Sequence, residues 1–321
     1  MKDIKDMQIK LFTHTDLDGV GCAILAKEVF EENVNIEYCD YNNINERVEK
    51  FLNEEIDLYD ILFITDISIN ESLAERINNL FNNDKLHIIK LLDHHPTALD
   101  LNKYKWCEIT IEKHGEKTSG TRMFYDYLLE KRFLYGTKSY NWDHSINLFK
   151  FVEKVKRYDT WLWKEKYNDV EAKLWNDLLY IIGREDFIKS VLHKIKYTFG
   201  LKFDKTEIKI LECKQKEIDK YIDKKQKEII EKDILNYKAG IVFAEQYHSE
   251  LGNKLSENNP HLDFIIIINM SYGVSYRTIK DNIDLGKDIA KVYGGGGHPK
   301  AAGSSISDVI RENVINMLFK I

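Results

Sequence analysis

Proline is almost absent from this chain of 321 residues: there are three, beside 16 glycines. That scarcity argues against long disordered linkers, which are built from such residues. Cysteine is scarce too. Cys22, Cys39, Cys107 and Cys213 form no CxxC pair, so neither a thiolate zinc knot nor a disulfide framework is expected. The longest apolar run, 264–268, falls far short of the roughly 20 residues that span a bilayer. The start, Met1-Lys2-Asp3-Ile4-Lys5-Asp6, has no apolar signal core, and a cytoplasmic location is expected. There is no basic excess: 47 Lys and Arg against 53 Asp and Glu leave a net charge of −6. Proteins that coat long nucleic acids neutralise phosphates with surplus Lys and Arg. Long polyanions and membranes are therefore poor partners, whereas a short anion held in one local site fits. No internal repeat or low-complexity tract is found.

What is present is ordinary for a globular protein, with 43% hydrophobic and 31% charged residues, and the length allows two domains. Apolar runs at 8–13, 34–38, 61–64 and 86–92 read as strands. Helical spacing over 21–30, 47–52 and 72–81 separates them. The alternation predicts an α/β fold with a doubly wound parallel sheet. Ser119 opens a helix to about Lys131, and 145–159 is helical again. Residues 203–235 read as one long amphipathic connector. A second α/β unit follows, with strands at 240–244, 264–270, 275–279 and 301–306 and a helix at 285–292. The expected domains are 1–165, a helical connector 166–236, and a smaller C-terminal α/β domain 237–321.

Three segments carry chemistry: His14-Thr15-Asp16-Leu17-Asp18-Gly19, a lone Asp66, and Asp93-His94-His95. Each follows an apolar strand, and ligands of parallel sheets gather at the carboxyl ends of strands. A carboxylate at such a buried end is costly without a partner, and a divalent cation is the common one. Carboxylates with few imidazoles suit Mn²⁺ or Mg²⁺, with Co²⁺ also admissible, better than a thiolate zinc site. Two such ions, about 3.5–4 Å apart, activate water and stabilise charge on phosphoryl oxygens. Far along the chain, Gly294-Gly295-Gly296-Gly297-His298 can bring backbone N–H groups to an anion. Arg277 could fork onto a phosphate there, with Lys300 a further contact. Metals at one end and an anion cradle at the other point to cleavage of phosphate esters. Trp161, Trp163 and Trp175 are read as packing, and His114 as an exposed loop histidine.

Together these residues resemble the motifs of the DHH phosphoesterases, with Asp159 as the fourth. The glycine run followed by Ala301-Ala302-Gly303 is similar to the signature of their DHHA1 substrate domain. The wording HTDLDGVGCA is most similar to the nanoRNase (oligoribonuclease) branch. The resemblance spans nearly the whole chain. It implies that His14 and Asp16 hold one metal, that Asp18, His94 and Asp159 hold the second, and that Asp66 bridges. It implies that Asp93 orients a histidine or a water, that His95 meets the scissile phosphate, and that Gly294, Gly295, Gly296, Gly297, His298 and Arg277 contact substrate. Leu17 stands where the family wording carries proline, which bears on substrate preference.

The expected function is a Mn²⁺-dependent exonuclease releasing nucleoside 5′-monophosphates from short RNA. The same metal chemistry would serve a cyclic or linear dinucleotide phosphodiesterase, or a phosphatase of 3′-phosphoadenosine 5′-phosphate. A silent nucleotide-binding module is the reading from another class, and the intact ligand set speaks against it. Family analogy allows a homodimer.

Overall fold

The computed structural model of the protein describes residues 6–81, 88–134 and 142–320. Residues 86 and 87, where the fourth strand is expected to begin, lie outside them. Two compact units are formed, one ending at Leu211 and one starting at Glu212. Among the described residues no helix is long and apolar enough to cross a membrane.

The first unit opens with β1 (Ile9–Thr13), α1 (Leu17–Phe30), β2 (Val34–Tyr38), α2 (Ile44–Glu54), β3 (Ile61–Thr65), α3 (Glu71–Phe81), β4 (Ile88–Asp93) and β5 (Cys107–Ile109). The sheet order is β2-β1-β3-β4-β5, all parallel. Side chains of a strand alternate between faces, and β3 shows the result. Ile61 and Phe63 join Ile24 and Leu25 of α1 in one core. Leu62 and Ile64 join Val48 and Phe51 of α2 in the other. Burial on both faces explains why these strands read as unbroken apolar runs. Lys10 is the exception on β1, and its buried ammonium is neutralised by Glu37 at 2.9 Å and held by Asn35 at 2.9 Å.

A short hairpin, β6 (Glu112–Lys113) and β7 (Glu116–Lys117), leads to α4 (Gly120–Glu130), α5 (Trp142–Asp159), α6 (Leu162–Glu165), α7 (Val170–Ile182) and α8 (Arg184–Tyr197). Residues 166–197 do not form a free connector. Trp175, Leu178, Phe187 and Val191 pack with Phe151 and Val155 of α5 in the first core. The unit boundary falls within α9 (Lys205–Gln226). Leu211 belongs to the first core and Ile218 and Ile222 to one in the second unit.

The expected connector also ends earlier than 235. Ile230–Ile234 is a strand, β8, paired antiparallel with β9 (Tyr237–Phe243). Leu235 and Asn236 turn the hairpin with φ of 51° and 68°, the double positive φ of a tight two-residue turn. The unit continues with α10 (His248–Asn258), β10 (Phe264–Asn269), β11 (Gly273–Arg277), β12 (Gly296–His298), β13 (Ala301–Ser304) and α11 (Asp308–Phe319). The order is β12-β13-β11-β10-β9-β8, and only β9–β10 is parallel. In place of the helix expected over 285–292 there is one π-helical turn, Leu285–Ile289, then a 3₁₀ turn, Ala290–Tyr293. Gly294 closes it at φ 72°.

Candidate metal centre

Strands β1, β3 and β4 end in step, because Thr13 pairs with Thr65 and Thr65 with Leu92. The next residues are His14, Asp66 and Asp93, so three acidic or imidazole segments leave one sheet edge together. After β1 the chain turns at once into α1. Asp16 caps that helix, its Oδ1 accepting from the amides of Asp18 and Gly19 at 3.1 Å each. A Cβ on Gly19 would stand 2.1 Å from the His14 carbonyl oxygen, so this turn requires glycine. Asp18 points inward. Its two oxygens accept from the amides of Gly120 at 2.6 Å and Thr121 at 2.9 Å, at the start of α4. Asp66 takes a left-handed φ of 58°, a strained state that only short polar side chains visit with any ease.

The six residues expected as ligands come together. His14 Nδ1 lies 2.9 Å from Asp16 Oδ2 and 4.0 Å from Asp66 Oδ2. His94 Nε2 lies 3.3 Å from Asp66 Oδ1, 3.6 Å from Asp18 Oδ2 and 3.4 Å from Asp159 Oδ2. Asp66 thus shows one oxygen to each histidine. Asp159 arrives from the last residue of α5. Two compact donor sets result, His14–Asp16–Asp66 and Asp18–His94–Asp159. A further grouping brings Asp93 and His95 beside Asp66 and His94, but Asp93 and His95 are engaged with each other at 2.7 Å.

The protein itself does not satisfy these donors. His14 Nδ1, Asp66 Oδ2, His94 Nε2 and Asp159 Oδ2 are buried atoms without a well-aligned hydrogen bond. Buried polar atoms are normally paired, and four orphans facing one another fit a cation. Charge supports this. Burial, then the charges of Asp18, Asp16 and Asp159, pushes the Asp66 carboxyl well above the usual carboxylate range. Asp159 is pushed up by burial and by Asp18, Asp16 and Asp93. Burial lowers His94 against the pull of Asp18. Burial also disfavours charge on Asp16, but its bonds with His14 and the Gly19 amide prevail and hold it low. The hydrogen bond to Asp16 raises His14.

Asp93 sits behind this layer. Its Oδ1 accepts from the His94 amide at 2.8 Å and lies 2.7 Å from His95 Nδ1, while its Oδ2 accepts from Ser68 Oγ at 2.5 Å. Burial works against its charge, yet the hydrogen bond and charge of His95 win and keep it low. The same bond raises His95. The other ring nitrogen of His95 stands 3.1 Å from the hydroxyl of Tyr41, whose ring also lies 5.1 Å from that of His14.

Tyr41, Ser68 and Gly120 escaped the sequence reading. Tyr41 lies just past the carboxyl end of β2, where the strand-end rule would have found it. Gly120 is needed because a Cβ would come within 2.5 Å of Asp66 Cβ. Nothing in its local sequence tells of that contact.

In the second unit the glycine run forms β12 against β13 rather than an open loop. A Cβ on Gly295 would lie 2.0 Å from the Gly303 carbonyl oxygen, and Gly297 has φ 142° with Ala302 Cα 2.6 Å from such a Cβ. Only Gly296 faces open space. His298 is exposed on this edge strand. Arg277 Nη1 donates to the Tyr276 carbonyl at 2.8 Å, and among the described residues no carboxylate pairs with it. Lys300 is engaged by Asp281 at 2.6 Å. Of the tryptophans, Trp175 is fully buried, whereas Trp161 is 40% exposed, edge-on to Trp163 at 5.4 Å.

Strand-end acids and histidines on a doubly wound sheet define a metal-handling hydrolase fold, and the comparisons agree. Residues 8–147 match the model of the DHH family, N-terminal domain. The chain is 41% identical over 318 residues to the oligoribonuclease NrnB of Bacillus subtilis strain 168, covering 97% of this chain and 76% of that one. The chain belongs to the DHH phosphoesterase family, in its nanoRNase branch. It is also 22% identical to a 3′,5′-cyclic-nucleotide phosphodiesterase of Helicobacter pylori, over 96% of this chain and 95% of the other. Among solved structures, the DHH domain of a member of a ribosomal protein family shares the fold. That likeness has a TM-score of 0.59 at 11% identity and covers 99% of this chain and 87% of that one.

Proposed function

We propose that the protein is a divalent-metal-dependent exonuclease that hydrolyses short oligoribonucleotides to nucleoside 5′-monophosphates. The observation that carries this is the pair of donor sets sharing Asp66, with four buried donor atoms lacking partners. The 41% identical relative is named an oligoribonuclease, and the net charge of −6 favours short over long polyanions. We assign His14, Asp16 and Asp66 to one ion, and Asp18, His94, Asp159 and Asp66 to the other, with Mn²⁺ the best fit to this donor chemistry.

Two such ions, when bound, activate water for attack on phosphorus and neutralise charge on the phosphoryl oxygens. The chain's own residues do the rest. Asp66 sets the spacing of the two donor sets. Asp93 takes the Nδ1 proton of His95, so the other ring nitrogen faces outward and can donate to a phosphate oxygen or to the leaving group. Tyr41 braces that nitrogen through its hydroxyl. In the second unit, Arg277, the Gly294–Gly297 run and His298 are assigned to the substrate's phosphate. The first unit is taken as the metal-bearing domain and the second as the substrate domain.

A second reading is hydrolysis of cyclic or linear dinucleotides, favoured by the name of the H. pylori relative. Metal-stripped protein, with and without Mn²⁺, is to be given a labelled RNA pentamer, its DNA counterpart and a cyclic dinucleotide. Mn²⁺-dependent stepwise shortening of the RNA pentamer is the expected result. An intact pentamer beside a cleaved dinucleotide would move the function to the second reading, and no cleavage at all would discard both.

A further inference from the structure

We propose that a basic pocket beside the metal centre takes a second phosphate group of the oligonucleotide, distinct from the one being cleaved. The proposal rests on the oligonucleotide reading above. The pocket lies wholly in the first unit and encloses about 250 Å³, with Lys113, Lys117, Thr118, Arg122, Lys156 and Lys166 in its walls.

Its walls grow out of the same elements as the metal centre. β5 pairs with β4 through Asp93 and Ile109, and the Thr110 amide donates to the Asp93 carbonyl at 2.9 Å. The β6–β7 hairpin, with Lys113 and Lys117, follows at once on this carboxyl edge of the sheet. Thr118 precedes Gly120 by two residues, and the Gly120 amide holds Asp18. Lys156 precedes Asp159 by three residues on α5, a rise of about 4.5 Å. The pocket is therefore bracketed by two elements that each deliver a group to the metal centre.

Its charge is opposite in sign to that of the whole chain. Five cations line it with two carboxylates, Glu116 and Asp126. Counting Glu153, which accepts from Arg122 at 2.6 Å, five positive against three negative leaves a surplus of two. Glu116 gathers Lys156, Lys166 and the Tyr167 hydroxyl, and these donors, Lys156 first, pull its carboxyl down to about 2. It serves as a frame that keeps two ammonium groups on the wall. Lys117 has no ion-pair partner among the described residues, and His114 stands exposed at the rim with φ 56°. A merely salt-bridged surface pairs its charges one to one and needs no concavity. A concave site with surplus Lys and Arg matches a phosphate.

The test is the full-length double variant Lys113→Glu/Lys117→Glu, altered at two exposed positions, against wild type. Binding of a fluorescent RNA trimer, with and without a 5′-phosphate, is read by anisotropy in chelator, which keeps the RNA intact. Turnover of the trimer is compared with that of bis(p-nitrophenyl) phosphate, a diester with no second phosphate. The expected result is a Kd raised at least about tenfold. The salt slope should be shallower by about 1.4, at about 0.7 for each lost single-strand phosphate contact. The trimer-to-diester ratio of kcat/KM should fall with the Kd. A penalty seen only with the 5′-phosphorylated trimer would identify the bound group as the terminal phosphate, and a penalty in both trimers as a linking one. Unchanged binding and an unchanged ratio would overturn the proposal, and so would an equal loss on both substrates. Wild-type protein that binds the trimer but cleaves nothing would sink the exonuclease reading and leave the pocket standing on its binding data.

Discussion

Asp66 concentrates the electrostatic tension of the metal centre in one side chain. It is fully buried, strained at φ 58°, and faced by three other carboxylates. Such an arrangement persists only when a counter-charge is supplied. Asp66→Ala removes the carboxylate common to both donor sets, and turnover should fall by at least about 10²–10³-fold. Titration calorimetry should show the loss of tight divalent-ion binding, and unchanged stoichiometry would refute the bridging role. Asp93 and His95 act differently, since neither belongs to the two donor sets. Asp93→Asn should cost about 10–100-fold in turnover, the usual effect of a residue that orients another. Ion binding should survive, and a calorimetric trace like that of Asp66→Ala would show that Asp93 ligates directly. Gly120→Ala places a methyl group 2.5 Å from Asp66 Cβ. That overpacking should cost about 1–3 kcal/mol of stability, read from denaturant unfolding, together with a loss of turnover.

Among the elements, the parallel strands were legible because burial on both faces makes them continuous apolar runs, as Ile61–Ile64 shows. Their carboxyl ends then announced His14, Asp66 and Asp93. Less legible was whatever depends on partners distant in sequence. The helices α7 and α8 were folded into a connector, since nothing local tells that Trp175 and Phe187 fill the face of α5. The strand β8 was lost in a charged helix-like stretch, because four of its five residues are exposed and it lies at a sheet edge. The glycine run was read as an anion cradle, whereas Gly295 and Gly297 are required by close approach to β13. That distinction yields a paired prediction. Gly295→Ala should lower the unfolding midpoint markedly, because its Cβ would collide with the Gly303 carbonyl. Gly296→Ala, which meets nothing within 4 Å, should leave the midpoint unchanged while weakening substrate binding if the amides there face a phosphate.

For the molecule as a whole, proton and metal compete for one set of oxygens. The carboxyls of Asp66 and Asp159 are held above the ordinary range, so the ion-free folded state binds more protons than the unfolded chain across that window. Stability is then greatest below the ordinary carboxylate pKa, about 4, and declines as pH rises through the elevated values. Divalent ions reverse the loss by replacing those protons. An ion at 100 times its Kd should add about 2.7 kcal/mol. The gain in unfolding midpoint should be larger at pH 7.5 than at pH 5, with protons released on binding. A midpoint gain that does not depend on pH would show that the carboxyls are already ionised without metal.

Asp18 has a different standing from its neighbours, because its two oxygens also anchor the first amides of α4. A lineage drifting away from catalysis could shed Asp66 or Asp159 and relieve crowded charge in doing so. Shedding Asp18 would instead unfasten a helix of the core. Ancestry should therefore outlast activity at this position: descendants that have abandoned hydrolysis would still carry the aspartate, as a relic kept for architecture.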